Sequence, residues 1–348
     1  MNEIPSRLQS GNIVRPDDTW LGRIAEPAID PELPIVDPHH HLWDRPGYPY
    51  LLPDLLADTG SGHNIRATVF VECMSMYRAK ADAAMRPVGE TEFVNGIAAM
   101  SASGGYGAAR LCAGIVGFAD LTLGDAVATV LDAHIQSGGG RFRGIRHAAG
   151  WDASDQVWNS HTRPPEGLYR SEVFRAGFAH LAPRDLAFDA WLYHPQLADV
   201  ADLARAFPAT TIVLDHVGGP IGIGPYAGRS DETFARWKAG IAAIAACSNV
   251  VVKLGGLGMK IGVFDFHQRP DPVGSEVLAA AWRPWIETCI EAFGPDRCMF
   301  ESNFPVDKVT CSYAVLWNAF KRLAAGASPS EKAALFAGTA SRVYRLDL

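Results

Sequence analysis

Short apolar runs alternate with amphipathic stretches along almost the whole chain. The apolar runs are Ile35-Val36-Asp37, Ala67 to Glu72, Leu111 to Phe118, Phe142 to Arg146, Ala187 to Tyr193, Thr211 to Asp215, Asn249 to Leu254 and Arg297 to Glu301. Between them, segments such as Gly124 to Gln136, Gln196 to Phe207, Asp231 to Cys247 and Ser275 to Phe293 carry apolar residues at the three-to-four spacing of a helix. Several runs, Ala67-Thr68-Val69-Phe70-Val71 among them, lack the polar alternation of a half-exposed strand. That suits parallel strands covered on both faces. About eight strand-then-helix units in 348 residues predict an α/β fold, a (β/α)₈ TIM barrel. An open doubly wound sheet is the competing fold, but no Gly-rich nucleotide fingerprint follows the first strand. Two final helices, Tyr313 to Ala324 and Ser328 to Phe336, are expected to close the outer ring.

The pattern divides the chain into an N-terminal arm, residues 1–33, and a single barrel domain, residues 34–348. Three long irregular stretches, Trp151 to Leu168, Gly218 to Arg229 and Gly258 to Gly274, follow strands four, six and seven. In a parallel barrel they lie on the C-terminal face, where sites are built.

Composition narrows the function classes. Hydrophobic residues make up 48% of the chain, enough for a sizeable core, and the net charge is −7. Without a cluster of Lys and Arg, neither nucleic acid nor an anionic membrane is an expected partner. The expected partner is a small-molecule substrate, with homo-oligomer formation left open. No run reaches the roughly 20 apolar residues of a membrane span, and the polar N-terminus has no signal-peptide core, so a cytoplasmic location is expected. The six cysteines lack CxxC spacing and are read as reduced thiols.

The chemistry concentrates in Asp37-Pro38-His39-His40-His41-Leu42-Trp43-Asp44, at the end of the first strand. Residues two apart on a strand point the same way, so His39 and His41 can both face the barrel mouth and hold one ion. His216 ends the sixth strand in the same manner. His194 follows the fifth, where it either lines the site or caps the next helix. Arg146 ends the fourth strand and is suited to an anionic substrate group. Lys253 continues an apolar run and needs a partner if buried; Glu301 and Glu72 are the candidates. Tyr77 is among the aromatics that could shape a pocket for a ring-shaped substrate.

The first-strand segment resembles the amidohydrolase superfamily, and more narrowly its branch of sugar lactonases and the 2-pyrone-4,6-dicarboxylate lactonase. Val69-Phe70-Val71-Glu72-Cys73, Gly144-Ile145-Arg146-His147, Leu214-Asp215-His216-Val217-Gly218, Val252-Lys253-Leu254-Gly255-Gly256 and Phe300-Glu301-Ser302-Asn303-Phe304-Pro305 extend the likeness in order along the chain. The resemblance implies metal ligation by His39, His41 and His216, catalysis by these with Asn303 and Glu301, and substrate contacts from Arg146 and Glu72. It implies a divalent metal, zinc first, with metal-independent hydrolysis as the alternative. Asn303 stands where the family most often carries an Asp. An amide is no base at neutral pH, so either a nearby carboxylate takes over, Glu301 first and Glu72 or Asp307 next, or the site needs no tightly held metal. Asn303→Asp is then expected to be tolerated and to tighten metal binding.

The activity expected is hydrolysis of a cyclic ester, a lactone of a carboxylated or sugar-derived molecule. Metal-dependent, non-oxidative decarboxylation of an aromatic or enol acid is the second reading. A barrel that binds a ligand without turnover is the third.

Overall fold

The computed structural model describes residues 13–347. The first twelve residues of the expected arm lie outside them. Eight parallel strands pair in chain order: β1 (Pro34–His40), β2 (Asn64–Val71), β3 (Arg110–Gly117), β4 (Phe142–Arg146), β5 (Ala187–Ala190), β6 (Ile212–Leu214), β7 (Val250–Leu254) and β8 (Cys298–Phe300). The ring closes just beyond β8. His41 N–H donates to Phe304 O at 2.8 Å, and Asn303 N–H donates to His39 O at 2.9 Å. Asp37 reinforces the seam by accepting from Ser302 N, Ser302 Oγ and Tyr313 Oη. This is the expected (β/α)₈ barrel.

Strand alternation stacks the interior in layers. Ala187, Val213, Val251 and Met299 point inward together with Val36, Val69, Val71 and Val116, and the short C-terminal helix Thr339–Val343 plugs the layer from below. Burying each such aliphatic side chain contributes about 1.5–3 kcal/mol. Two residues further along the same strands, the inward positions are Asp189, Asp215, Lys253 and Glu301, all fully buried. An apolar floor therefore supports a charged layer, and the site rests on that layer.

The outer helices follow their predicted periods closely, including Leu197–Ala206, Ser230–Ala245, Ser275–Phe293 and Tyr313–Leu323. Two elements differ. The fifth strand stops at Ala190, because Trp191 O accepts from Ala149 N in the loop after β4 and Tyr193 turns its hydroxyl to Trp158 O. The last predicted helix is broken. It starts at Pro329 with a Ser328–Glu331 capping box, passes through a π turn at Ala334–Gly338 and resumes at Thr339.

The described part of the arm is pinned across the barrel. Trp20 Nε1 donates to Arg269 O and Pro270 O, and Glu26 accepts from Ser275 N and Asn318 Nδ2. All six cysteines are free and buried. Among the described residues no helix is long and apolar enough to cross a membrane.

Candidate active site

A cavity of about 610 Å³ opens on the C-terminal face. His41, Arg146, His216 and Asn303 form its floor, and the loop after β4, from Asp152 to Arg163, forms much of its wall. Beyond His216, the stretch Gly218 to Arg229 after β6 does not line the cavity but props this wall, as Tyr226 Oη donates to Asp152 Oδ2 at 2.8 Å. The loop after β7 contributes Met259.

The three rings expected to converge do so. His39 lies 4.9 Å from His41 and 4.5 Å from His216, centroid to centroid. Glu301 sits beneath them. Its Oε1 accepts from His216 Nδ1 at 2.7 Å and from His216 N at 3.0 Å. Its Oε2 lies 2.8 Å from His39 Nδ1 but has no in-line hydrogen-bond donor. Burial pushes the Glu301 carboxyl up; the charges of His216 and His39 outweigh it and hold the group at about 2. Glu301 is therefore a carboxylate at any physiological pH.

Backbone geometry shapes this cluster. His216 and Asn303 both lie in the left-handed region, at φ 55° and 54°. Such conformations cost energy in a non-glycine residue and concentrate at functional sites. The paired glycines after β7 make room for it: a Cβ on Gly255 would stand 2.5 Å from Glu301 Cγ, and one on Gly256 2.4 Å from His216 Cβ. The Gly255-Gly256 pair in the sequence is thus a clearance requirement.

Around His39 runs a buried charge network. Lys253 Nζ lies 2.6 Å from Asp189 Oδ2, 3.0 Å from Asp215 Oδ1 and 3.2 Å from His39 Nδ1. Glu301 and Glu72, the expected partners of Lys253, are not its ion-pair partners. Asp189 and Asp215 project into the same layer and reach it first. Burial raises the Asp215 carboxyl, but the Lys253 charge and then His39 hold it well below the usual carboxylate range.

Arg146 lines the cavity, yet most of its donors are used within the protein. Nε donates to Glu72 Oε1 at 2.7 Å and Nη2 to Glu72 O at 2.5 Å, while Nη1 faces His39 Nε2 at 3.3 Å. Glu72 is fully buried and held at about 2: burial raises it, and His161 and Arg146 lower it further than that. Glu72 does not reach the cavity surface; it anchors Arg146 and His161, whose Nε2 lies 3.1 Å from Glu72 Oε2.

Besides Glu72, two more expected substrate contacts lie away from the cavity. His194 is buried against Tyr226, with Nδ1 accepting from Ile221 N, so it supports a loop. Tyr77 is not on the cavity wall; its hydroxyl is buried near Glu90 and Glu72. Conversely, His161, Asp189 and Asp215 were not singled out from sequence. The two aspartates carried a readable signal, each two residues beyond an inward apolar position of its strand. His161 sits in an irregular loop and carried none.

The residues fit a divalent cation. Ligand atoms of His39, His216 and Glu301 lie within 4.8 Å of one another, two imidazoles and a carboxylate being a zinc-type donor set. Glu301 Oε2 is a buried acceptor short of a donor. His41 is not in this trio. Its Nδ1 donates to Val71 O at 2.8 Å, which leaves an unprotonated Nε2 facing Asn303 Oδ1 at 3.3 Å. Asn303 Nδ2 is committed to Asp307 Oδ1 at 2.8 Å, so two acceptors confront each other across the floor. Burial, with the charges of His39 and Arg146, pushes His41 well below its ordinary value and keeps it neutral.

Comparison with known proteins agrees with the fold. A family model described as Amidohydrolase matches residues 36–346. The uncharacterised protein y4mH of Sinorhizobium fredii is 34% identical over 337 residues, covering 90% of this chain and 99% of that protein. An L-fucono-1,5-lactonase of Burkholderia multivorans is 29% identical over 329 residues, covering 89% and 96%. The crystal structure of a B. multivorans amidohydrolase with bound zinc is similar with a TM-score of 0.69 at 26% identity, covering 90% and 99%. With the barrel, its closing seam and the histidines at the ends of β1 and β6 in place, the chain belongs to the amidohydrolase family and is a hydrolase of that superfamily.

Proposed function

We propose that the protein is a lactonase that opens a cyclic ester by attack of water on the ring carbonyl. The observation that carries this reading is the pair of facing acceptors, His41 Nε2 and Asn303 Oδ1, on the floor of the cavity. A water placed there is held by two acceptors with its lone pairs turned to the cavity. His41 Nε2 takes the proton as the water oxygen bonds to the carbonyl carbon, and passes it to the ring oxygen as the acyl C–O bond breaks. The buried Nδ1–H bond to Val71 O fixes the tautomer this role requires.

His39, His216 and Glu301 would hold a divalent cation, with zinc as the proposed ion. Bound there, it would supply Lewis-acid polarisation of the ring carbonyl. Lys253 and Asp215 hold the His39 ring in place, and Glu301 orients the His216 ring. The zinc-bound relative and the lactonase-named relative support this assignment.

The test is ring opening of a lactone panel followed with a pH indicator, beside carbon dioxide release from hydroxylated aromatic acids and metal analysis of the purified protein. Ring opening that falls at least about a hundredfold in His41→Gln is the expected result. Carbon dioxide release without ring opening would replace this reading with the decarboxylase.

A further inference from the structure

A second cavity of about 520 Å³ adjoins the first. The two share one wall, made of Ile13, Trp43, Arg45, Cys73 and Met74. Their characters differ. The first is floored by histidines, Arg146 and Asn303. The second is bounded largely by apolar groups, among them Val14, Pro46, Tyr48 and Met76, with Arg15 and Asp44 as its other charged members. Met74 and Met76 are both exposed for large hydrophobic residues, at 41% and 43%. Flexible thioether side chains standing open beside a catalytic chamber are suited to accepting apolar groups of varied shape.

Arg45 occupies the junction. Its guanidinium lies 4.5 Å from the centroid of the Trp43 ring, and Nη2 donates to Cys73 O at 3.1 Å. These contacts fix the planar fork while leaving other N–H groups uncommitted. Among the described residues Arg45 has no carboxylate partner, unlike Arg146, whose charge is met by Glu72. On the main cavity, Asp152, Asp155 and Arg163 lie on the wall formed by the loop after β4, and Arg45 lies beside Ile13 and Trp43. Arg45 is the guanidinium at the junction of the two chambers, placed to hold an anionic group there.

We propose that the substrate spans both chambers. Its ester ring lies over His41 and Asn303, an acidic group is held by Arg45 at the junction, and an aliphatic or aromatic substituent occupies the second chamber. The substrate class is thus a carboxylated lactone with an apolar side arm, and Arg45 in place of Arg146 is the residue that selects the charge. This rests on the lactonase reading above.

The test uses the full chain and a series of five-membered lactones bearing no chain, a butyl chain or an octyl chain, each with and without a ring carboxylate. For the wild type, kcat/KM rises at least about tenfold from the unsubstituted to the butyl member, the scale of apolar selectivity in a pocket. In Arg45→Gln, the preference for carboxylated over neutral lactones falls about tenfold, mainly through KM. Val14→Asp, on the outer wall, lowers the long-chain to short-chain ratio and tests the second chamber independently of whether the Arg45 variant folds. Lactones opened with no chain-length preference, and a carboxylate preference unmoved in Arg45→Gln, would overturn this inference alone. No opening of any lactone would instead remove the reading beneath it.

Discussion

Glu301 is bonded twice to a single residue, His216: Oε1 accepts from its ring Nδ1 at 2.7 Å and from its backbone N–H at 3.0 Å. One carboxylate oxygen thereby fixes both the ring and the left-handed backbone that carries it. Glu301→Gln keeps the shape but removes the charge, and it puts an N–H donor in place of one of the two carboxylate oxygens. The expected outcome is a loss of turnover of about a hundredfold or more, with weaker retention of a divalent ion on dialysis, since groups that orient a ligand contribute on that scale. Steady-state kinetics and metal analysis on the same preparation check it; full turnover with full metal retention would remove Glu301 from the site.

The barrel and its strand-end histidines were legible because both depend on periodicity. His39 and His41 are two residues apart at a strand end, and His216 ends an apolar run, so alternation alone aims them inward. Alternation also reaches Asp189 and Asp215, but each is one polar residue in a run otherwise read as core, and only the ring of neighbours shows what it pairs with. Arg146 is expected to meet an anionic substrate group; in the structure it lines the cavity with Glu72 already bonded to its guanidinium. A sequence shows that a guanidinium faces the mouth but not that Glu72, from a strand two places away, reaches it before a substrate does. Tyr77, His194 and His161 lie in irregular segments, where no period says which way a side chain turns.

Asn303 read in isolation suggests that an Asp would serve better there. The structure gives a different expectation. Asn303 Nδ2 donates to Asp307 Oδ1, and burial already raises the Asp307 carboxyl to about 7. Asn303→Asp sets two buried carboxyls face to face, so one must stay protonated. Stability of the variant therefore falls as pH rises from 6 to 8, by on the order of 1–3 kcal/mol relative to the parent. Adding Asp307→Asn restores a donor opposite an acceptor and recovers most of the loss. Urea unfolding at the two pH values checks this; a single variant as stable as the parent at pH 8 would contradict it.

Lys253 is the only cation within ion-pairing distance of Asp189 among the described residues, and it lies 3.0 Å from Asp215 as well. Lys253→Met fills a similar volume but leaves Asp189 without its cation and Asp215 with Arg146 Nη1 alone, at 3.6 Å. Breaking a buried pair from one side costs about 3–5 kcal/mol. Burial, opposed by Lys253, sets the Asp189 carboxyl at about 6 in the intact network. Without Lys253 it rises further, so the folded state holds protons that the unfolded chain has released. The loss is thus larger at pH 8 than at pH 5, and chemical denaturation at both values reads the difference. An equal loss at the two would place the cost in packing and not in charge.

Glu90 gives a pH effect away from the proposed ligands. Its Oε1 accepts from Cys73 N at 2.9 Å and Ser75 N at 2.7 Å, while Oε2 is buried without a partner. Burial, and then the neighbouring charge of Glu72, raises the carboxyl from 4.5 to about 8. A folded-state value above the unfolded one means that the folded protein binds the extra proton between those limits. The stability it contributes is present below about pH 4.5 and is lost as pH rises through 8. Glu90→Gln keeps the acceptor for both backbone N–H groups and has no proton to lose. Its unfolding midpoint should match the parent near pH 5 and exceed it above pH 8, by an amount worth ~1 kcal/mol or more. Parallel stability curves for the two proteins across that range would show that Glu90 is ionised in the folded state throughout.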